Sequence, residues 1–357
     1  MAKTYASFLG ANTPRGFVSL FSEMYNPYKS CRPFIIKGGP GTGKSTLMKK
    51  LGTLSAEKGL DTELIYCSSD PASLDGIIIP ELGICVADGT SPHTLEPKFP
   101  GAVENIINTG DFWDISKLRE SVDEIRSLTL ENSIHHRTSA RYLAAAGSIN
   151  DENIRLTDRY LDRDKINGFA LRFAARELPC KRNAAPGRRI RRFISAITPQ
   201  GNIFLGSTVT ALATRIIGIE DEFTPASSLL TDRIGEAAVK NGYDVIFCHC
   251  PMKPDMQCEH IIIPEAHLAL ITLRSAHKGT PECDRIIHAK RFLRNELTSC
   301  AFTLRFNRRL IKELTAEAVS ALSQAKATHD KLEKLYVSAM DYSALEKYWE
   351  NFIKNLL

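Results

Sequence analysis

The chain of 357 residues contains one long internal repeat. Residues 8–16, FLGANTPRG, return in altered form as residues 193–201, FISAITPQG, which lie 185 positions later. Residues 77–81, IIIPE, return unchanged as residues 261–265. Two shorter matches lie between these segments, in the same order in both halves. The tripeptide at 59–61 matches that at 242–244, and Cys67 matches Cys250. A repeat unit of this length is too long for a solenoid and predicts two domains of one fold.

The repeat predicts a boundary near residue 186, in the linker 180–189. We expect each domain to have an α/β core followed by a charged helical extension. The predicted domains are residues 1–185, with a core over about 1–114 and an extension over about 115–185, and residues 186–357, with a core over about 186–283 and a helical arm over about 284–357.

A glycine-rich stretch in the first half fits the phosphate-binding pattern G-x-x-x-x-G-K-[ST]. An apolar run at 33–36 predicts a buried strand before it, and residues 47–51 predict the first turns of a helix after it. Glycines let the backbone wrap around a phosphate, whose charge the N–H groups of the loop and of the helix N-terminus then face. The candidate nucleotide-binding residues are Gly38, Gly39, Pro40, Gly41, Thr42, Gly43, Lys44, Ser45 and Thr46.

The fold class predicted for both halves is α/β, a pair of P-loop NTPase-like domains with parallel, doubly wound sheets. Residues 62–67 and 84–87 are the predicted second and third strands. Helical sequence covers 115–178, with breaks near Gly147 and Gly168, and again 284–357, with a long helix pair around 310–322. The favoured interpretation is that these helices pack on their own cores. The alternative is that they form an arm for a protein partner.

The second copy lacks the phosphate-binding signature. Lys44 aligns with Ser227 and Ser45 aligns with Ser228. Three acidic residues at 220–222 stand where phosphates would lie, and carboxylates repel a triphosphate. We therefore predict that the second lobe does not bind a nucleotide in the P-loop manner.

The comparison between the halves also selects candidates for catalysis and metal binding. Asp88 ends the third strand and aligns with Thr272. The second half therefore lacks this aspartate as well as the counterpart of Lys44. We predict that Asp88 and Ser45 hold Mg²⁺, the alternative for Asp88 being a turn aspartate before a glycine. Asp70 aligns with Lys253 and is a candidate for positioning the attacking water, with a turn aspartate before proline as the alternative. Asp75 is a weaker candidate of the same kind.

Residues that both halves keep are interpreted as structural. Pro80-Glu81 reappears as Pro264-Glu265, and His93 reappears as His277. Neither Glu81 nor His93 is therefore predicted to be catalytic.

Three other patterns admit two interpretations each. The cysteines and histidines at 248–260 suggest zinc, but their spacing favours buried strand cysteines. The basic linker at 181–192 favours a solvated segment, with contact to nucleic-acid phosphates or an arginine placed against the γ-phosphate as alternatives. Phe112-Trp113 favours core packing over stacking on a base.

Bulk composition sets the remaining expectations. The net charge of +5 is mild and gives no argument of its own for nucleic acid. No run approaches the roughly 18 apolar residues of a membrane span, so no membrane association is expected. Nine cysteines without the spacing of a disulfide framework predict a cytoplasmic protein.

With these motifs the chain resembles a family of bacterial tandem P-loop NTPases of the Firmicutes type, across both halves. The resemblance rests on the glycine-rich loop and on matching residues that follow it. Those residues are Asp61, Cys67, Asp70-Pro71, 73–75, 78–82, 88–90 and Pro92-His93. The family implies ATP-binding, ATPase-like lobes. Its intact members carry a second phosphate-binding loop, which this chain lacks.

The expected function is binding of ATP with Mg²⁺ and its hydrolysis in the first lobe. Lys44 would bridge the β- and γ-phosphates, Ser45 and Asp88 would hold the metal ion, and Asp70 would position water. One alternative is a kinase for a small molecule or nucleotide. Another is a non-catalytic nucleotide-dependent switch whose protein partner docks on the helical arms. A nucleic-acid-stimulated ATPase that uses the basic linker is the third.

Overall fold

The computed structural model describes residues 2–26, 31–91, 95–254 and 258–357. The first half forms a six-stranded sheet, a β-hairpin and four α-helices. Its elements are β1 Thr4–Phe8, β2 Gly10–Thr13, β3 Gly16–Ser19, β4 Arg32–Lys37, α1 Lys44–Glu57, β5 Thr62–Tyr66, β6 Leu74–Ile79, β7 Ile84–Asp88, β8 Asn105–Asn108, α2 Ile115–Glu120, α3 Val122–Asp158 and α4 Arg163–Glu177.

The second half repeats this order with two differences among the described residues: a short helix follows its hairpin, and no α-helix stands in the place of α2. Its elements are β9 Arg189–Arg192, β10 Ser195–Thr198, β11 Gly201–Phe204, α5 Gly206–Leu212, β12 Arg215–Glu220, α6 Ala226–Lys240, β13 Val245–His249, β14 Cys258–Ile263, β15 Leu268–Leu273, β16 Arg285–His288, α7 Ala301–Ser338 and α8 Tyr342–Leu356.

The two sheets have the same strand order, β1-β5-β6-β7-β4-β8 in the first lobe and β9-β13-β14-β15-β12-β16 in the second. This agreement is compatible with a duplicated α/β domain. The strands predicted at 33–36, 62–67 and 84–87 are confirmed as β4, β5 and β7.

Each sheet departs from the predicted parallel arrangement at one strand. β6 runs antiparallel to β5 and to β7, and β14 runs antiparallel to β13 and to β15. Only Pro80–Leu82, in a short 3₁₀ turn, and Gly83 separate β6 from β7. A parallel crossover needs a dozen residues or more, so a connection this short forces an antiparallel pair.

The predicted helix breaks at Gly147 and Gly168 are wrong. α3 continues through Gly147, and α4 continues through Gly168. A Cβ atom at position 147 would lie 2.7 Å from Pro14, so this glycine allows a close approach to the first hairpin instead of ending the helix. The predicted long helix pair is formed by α7, which contains residues 310–322, and α8.

The expectation that the extensions pack on their own cores is wrong for α4 and α8. Ile166 and Phe173 of α4 join the core that contains Leu230 of α6 in the second lobe. Trp349 of α8 joins the core that contains Leu47 of α1 in the first lobe. α3 has 37 residues and α7 has 38, so each is about 55 Å long and carries its chain to the other lobe.

The two exchanged helices enter through equivalent joints. The N–H of Asp341 donates to Phe112 O at 2.9 Å, and the N–H of Asp162 donates to Phe292 O at 2.8 Å. α3 and α7 pack against each other between the joints, where the Asn307 amide donates to Asn153 Oδ1 at 2.7 Å. The helices therefore cross over in a pseudo-symmetric pair.

The basic linker is not a solvated segment throughout. Arg192 is 5% exposed and makes a two-pronged ion pair with Glu63, at 2.6 and 3.0 Å. Arg191 pairs with Glu23, and Arg188 pairs with Asp244. A buried charge needs a partner, and Glu63 supplies it to Arg192. The three ion pairs join residues 188–192 to the first lobe and to Asp244, which precedes β13.

In the described part of the chain, no helix combines the length and the apolar character that crossing a bilayer requires.

Candidate functional site

The glycine-rich loop connects the carboxyl end of β4 to the N-terminus of α1, as the sequence predicts. Gly41 and Gly43 have φ values of +68° and +75°, which residues with a Cβ atom rarely adopt. A Cβ atom at Gly38 would lie 1.9 Å from Thr109 Oγ1. The backbone therefore follows a path that glycine alone permits, and it ends at a helix N-terminus, whose first N–H groups have no acceptor within the helix.

Lys44 folds back over this loop. Its Nζ lies 3.1 Å from Gly38 O and 2.6 Å from Gly39 O, and the residue is 8% exposed. The same atom lies 3.5 Å from Asp88 Oδ2. A buried ammonium group is thus held at the mouth of the loop by carbonyl oxygens and one carboxylate.

Asp88 reaches the loop because β7 lies beside β4, with Asp88 in register with Ile36. Its Oδ1 accepts hydrogen bonds from the N–H and the hydroxyl of Thr90, and the N–H bond is 2.9 Å long. Ser45 Oγ accepts a hydrogen bond of 3.0 Å from Leu74 N. The structure therefore brings Lys44, Ser45 and Asp88 to one edge of the sheet.

Asp75 is a second carboxyl group at this edge. It is 5% exposed and lies on β6, which pairs with β7. Burial raises the pKa of Asp75 well above its ordinary value, and the neighbouring carboxylate of Asp88 adds to the rise. A hard cation favours oxygen ligands of this kind, and its charge would favour the ionised form. The oxygen-rich set of Ser45, Asp75 and Asp88 fits Mg²⁺.

Asp70 lies beside this group and has partners of its own. Its Oδ2 accepts a hydrogen bond of 2.8 Å from Ser73 Oγ, and its Oδ1 accepts one of 3.3 Å from Ala72 N. Lys326 Nζ of α7 lies 3.6 Å from Asp70 Oδ2. These contacts match the turn interpretation, and the role of Asp70 in positioning water stays a prediction.

Residues of α7 and α8 cover the outside of the loop. The hydroxyl of Tyr342 donates to Gly41 O at 2.6 Å, and a Cβ atom at Gly41 would lie 2.6 Å from Val337 Cγ2. Trp113 packs against Tyr336 with ring centroids 5.6 Å apart, in agreement with the packing interpretation of Phe112-Trp113. The sequence motifs missed Tyr336, Val337 and Tyr342, for which the aromatic residues at 336–349 were the available signal.

The zinc interpretation of residues 248–260 fails on the donor atoms. Cys248, Cys250 and Cys258 are buried strand or strand-end cysteines, as the favoured interpretation predicts. His260 groups instead with Glu259 and His277. Its Nδ1 accepts a hydrogen bond of 3.0 Å from Thr272 N, so Nε2 of the neutral ring carries the proton and has no lone pair for a metal ion.

The guanidinium of Arg274 completes this group at 3.2 Å from Glu259 Oε1. A cation already pairs with the carboxylate that a metal ion would need. The group is therefore a buried ion network. His93, the counterpart of His277, lies outside the described residues.

Comparison of the chain with protein-family models, with curated protein sequences and with solved structures gives no significant match. The functional argument therefore depends on the motif, the repeat and the geometry of the site.

Proposed function

We propose that the chain is an ATP-binding protein of the tandem P-loop kind, a Mg²⁺-dependent ATPase with one active and one degenerate lobe. One observation carries the proposal. Lys44 Nζ lies on the carbonyls of Gly38 and Gly39 and 3.5 Å from Asp88 Oδ2, within a glycine-rich loop at the start of α1. This arrangement of backbone, ammonium and carboxylate suits a triphosphate with a bound cation.

Each residue has one role in the proposal. The N–H groups of residues 41–45 cradle the β-phosphate, and Lys44 neutralises charge on the β- and γ-phosphates. Ser45 and Asp88 would hold Mg²⁺ directly or through water, and the ion would supply further charge neutralisation. Asp88, which lies 3.5 Å from Lys44 Nζ, would then have the ion as its partner in place of Lys44. Catalysis of this kind depends on the placement of charge rather than on a covalent intermediate.

A thermal-shift panel of ATP, GTP and ADP, with and without Mg²⁺, tests the proposal. A ligand at 100 times its Kd stabilises the folded state by about 2.7 kcal/mol, so ATP with Mg²⁺ is expected to raise Tm by several degrees. Lys44→Ala should abolish this rise. Lys50→Ala removes an exposed lysine from the same helix and should retain it. Unchanged affinity of Lys44→Ala for Mg-ATP would overturn the proposal.

One observation favours a kinase as the second candidate. A cavity of about 480 Å³ runs along α1 in the first lobe, lined by residues that include Thr4, Gly52, Leu64 and Leu74. Leu74 also donates its N–H to Ser45 Oγ, so the cavity adjoins the predicted metal site. The volume is sufficient for a small acceptor molecule.

The second lobe fills the equivalent space with its own side chains. Arg189 replaces Thr4 at the matching position of the edge strand, and Phe247 replaces Leu64. The Arg189 guanidinium lies 4.3 Å from the centre of the Phe247 ring and pairs with Glu236. Where the first lobe has this cavity, the second lobe thus places Phe247 and the ion pair of Arg189 with Glu236.

Product analysis separates the candidate functions. Release of inorganic phosphate from ATP, with no acceptor added, supports the ATPase. Transfer of the phosphoryl group to an added nucleoside or sugar, faster than its release to water, supports the kinase. Binding of ATP without either product supports the nucleotide-dependent switch.

A further inference from the structure

The second lobe carries a concentrated positive charge around the start of α7. Residues 285–312, which we call the basic segment, contain eight basic residues and one acidic residue, a net charge of +7, although the whole chain carries only +5. All eight basic residues are exposed. They are Arg285, Lys290, Arg291, Arg294, Arg305, Arg308, Arg309 and Lys312. The rest of the chain is therefore slightly acidic, and the basic segment is where a polyanion would be attracted.

The equivalent segment of the first lobe has the opposite charge. An offset of 180 residues pairs β16 with β8 and Phe292 with Phe112. It aligns the basic segment with residues 105–132, which contain three basic and six acidic residues, a net charge of −3. Both segments begin with an edge strand and a 3₁₀ turn and end in a long helix. The fold therefore does not require the positive charge, which is particular to the lobe without the phosphate-binding loop.

Two phenylalanines are exposed within the basic segment. Phe302 is 78% exposed and Phe306 is 45% exposed. Leu304 and Asn307 occupy the opposite side of α7, where both are buried and Asn307 donates to Asn153 of α3. The two rings therefore lie on the side of α7 that faces away from α3, toward solvent.

Arginines alternate with these phenylalanines along the helix. Four residues of α7 are spaced i, i+3, i+4 and i+7, which places them on one side of the helix, and we call them the basic aromatic face: Phe302, Arg305, Phe306 and Arg309. The Arg309 guanidinium lies 5.6 Å from the centre of the Phe306 ring. In the described part of the chain, Arg305 makes no ion pair, and Arg309 makes a long one with Glu313, at 4.0 Å. Both cations are thus available to an external anion.

Interleaved rings and cations suit a single strand of nucleic acid better than a membrane or a duplex. A helix that lies on a bilayer separates its apolar side from its basic side, whereas here rings and cations share one side. Unpaired bases stack on aromatic rings while a positively charged groove follows the phosphates between them. In a duplex the bases already stack on one another, so their faces are not open to a phenylalanine.

We infer that the basic aromatic face binds single-stranded nucleic acid. Bases stack on Phe302 and Phe306. Arg305 and Arg309 hold phosphates of the strand, and the other cations of the basic segment attract it from a distance. RNA and DNA bind alike, since no residue of this face is assigned to the 2′-hydroxyl. The inference does not depend on nucleotide binding by the first lobe, because no residue of the glycine-rich loop takes part.

Fluorescence anisotropy with a short labelled oligo(dT) tests the inference. Oligo(U), an abasic strand of the same charge and a duplex of the same length are measured beside it at low salt. The protein should bind oligo(dT) and oligo(U) with similar affinity. It should bind the abasic strand at least about fivefold more weakly, because each stacked base contributes about that factor or more.

A pair of leucine substitutions separates stacking from charge. Phe302→Leu with Phe306→Leu keeps apolar side chains but removes the ring faces, so the affinity for oligo(dT) should fall to that for the abasic strand. The affinity for the duplex should not change. Phe302→Tyr with Phe306→Tyr retains both rings and should bind as the parent does. Neither pair should lower Tm much, because both positions are exposed.

Glutamine substitutions test the phosphate contacts. In Arg305→Gln with Arg309→Gln, the slope of log affinity against log salt concentration should become shallower by about 1.4, or about 0.7 for each lost contact with a single strand. Arg137→Gln with Arg141→Gln removes the same charge from exposed positions of α3 and should keep the parent slope. Lys44→Ala should bind oligo(dT) as the parent does, so failure of the proposed ATPase would leave this result unchanged.

Three results would overturn the inference. They are undetectable binding of oligo(dT) at low salt, equal affinities of the parent for oligo(dT) and the abasic strand, and unchanged affinity of the leucine pair for oligo(dT). The basic segment would then attract polyanions by charge alone. If the leucine pair also bound phosphatidylserine vesicles as tightly as the parent, the face would be assigned to a membrane surface instead.

Discussion

Tyr342 donates its hydroxyl hydrogen to the carbonyl oxygen of Gly41 across 2.6 Å, although 301 positions separate the two residues in the chain. The bond joins α8 to the centre of the glycine-rich loop. Glu333 and Val337 of α7 also face Gly41, since a Cβ atom there would lie 3.1 Å from Glu333 Cγ and 2.6 Å from Val337 Cγ2. A change in the conformation of the loop must therefore alter its contacts with both α7 and α8.

We expect Tyr342→Phe to change the affinity for nucleotide by about two- to tenfold, because one hydrogen bond has a net worth of about 0.5–1.5 kcal/mol. Tyr342 is 37% exposed, so the Tm of the Tyr342→Phe variant should change little. Isothermal titration with Mg-ATP measures the effect. Tyr348→Phe removes a hydroxyl from the same helix without touching the loop and should bind as the parent does. Equal affinities of all three proteins would show that the bond to Gly41 does not influence the site.

Asp88→Asn is expected to weaken the contribution of Mg²⁺ to nucleotide binding, because the amide offers a neutral oxygen to the cation. The affinity for ATP without Mg²⁺ should be kept or increased, since Lys44 loses a competing carboxylate at 3.5 Å. Titration of ATP at several Mg²⁺ concentrations measures both effects. A variant whose Mg²⁺ dependence equals that of the parent would exclude Asp88 as a metal ligand.

Asp70 and Lys326 are expected to act as one unit that ties the turn after β5 to α7. Asp70→Asn and Lys326→Met should each lower Tm slightly, and the double variant should lose no more than the larger single loss. The coupling of an ion pair at this level of exposure is about 0.2–1 kcal/mol. In the second lobe, Lys253 makes the matching contact with Asp151, at 2.5 Å. Lys253→Met is the control, because it breaks an ion pair of the same kind away from Asp70.

Turnover of the same variants separates the two roles of Asp70. A tie between turn and helix predicts similar, modest losses in Asp70→Asn and Lys326→Met. A much larger loss of turnover in Asp70→Asn alone would instead assign it the positioning of water.

A pH effect is expected at Asp232, which lies on α6. Burial raises the pKa of Asp232 to about 6, and Arg189 and Arg233 oppose the rise. The folded state therefore binds this proton more tightly than the unfolded chain, so the stabilisation is full below pH 3.8 and is lost as the pH rises to about 6.

Asp232→Asn should consequently raise Tm by a few degrees at pH 8 and by much less at pH 4. Thermal melts across this range measure the difference. Asp164→Asn, at an exposed acid on α4, should show no such trend. A constant difference between Asp232→Asn and the parent at every pH would contradict the raised pKa.

The sequence predicted the parts of the site that depend on local chemistry. The apolar run at 33–36 and the glycines after it specify a strand and a loop through residue type alone, and β4 and α1 follow. Asp88 was found because its position at a strand end is set by the same local pattern. The antiparallel direction of β6 was not predicted, because the apolar residues Ile77 and Ile79 are compatible with either strand direction.

The exchange of helices could not be predicted in this way. Leu345, Trp349 and Ile353 recur at helical spacing and indicate an apolar face, but such a pattern does not name the core that the face will cover. Which core α8 covers depends on the length of α7 and on the hydrogen bond from Asp341 N to Phe112 O, a tertiary contact. The carboxylate of Asp221 was expected to repel phosphate. It instead accepts hydrogen bonds from the N–H groups of Thr224 and Ser227, and these depend on the path of the loop, which the sequence does not specify.

The exchange itself predicts that damage in one half of the chain loosens the core of the other. Trp349 is 7% exposed and packs in the core with Leu47, so Trp349→Ala should cost about 3–5 kcal/mol. Hydrogen exchange should accelerate in α1 and β4 of the first lobe, while α6 and β12 of the second lobe keep their protection. Phe173→Ala in α4 is the mirror variant, because Phe173 packs with Leu230 and should loosen α6 while α1 stays protected. If each variant instead loosened the lobe of its own half, the crossover of α3 and α7 would be refuted.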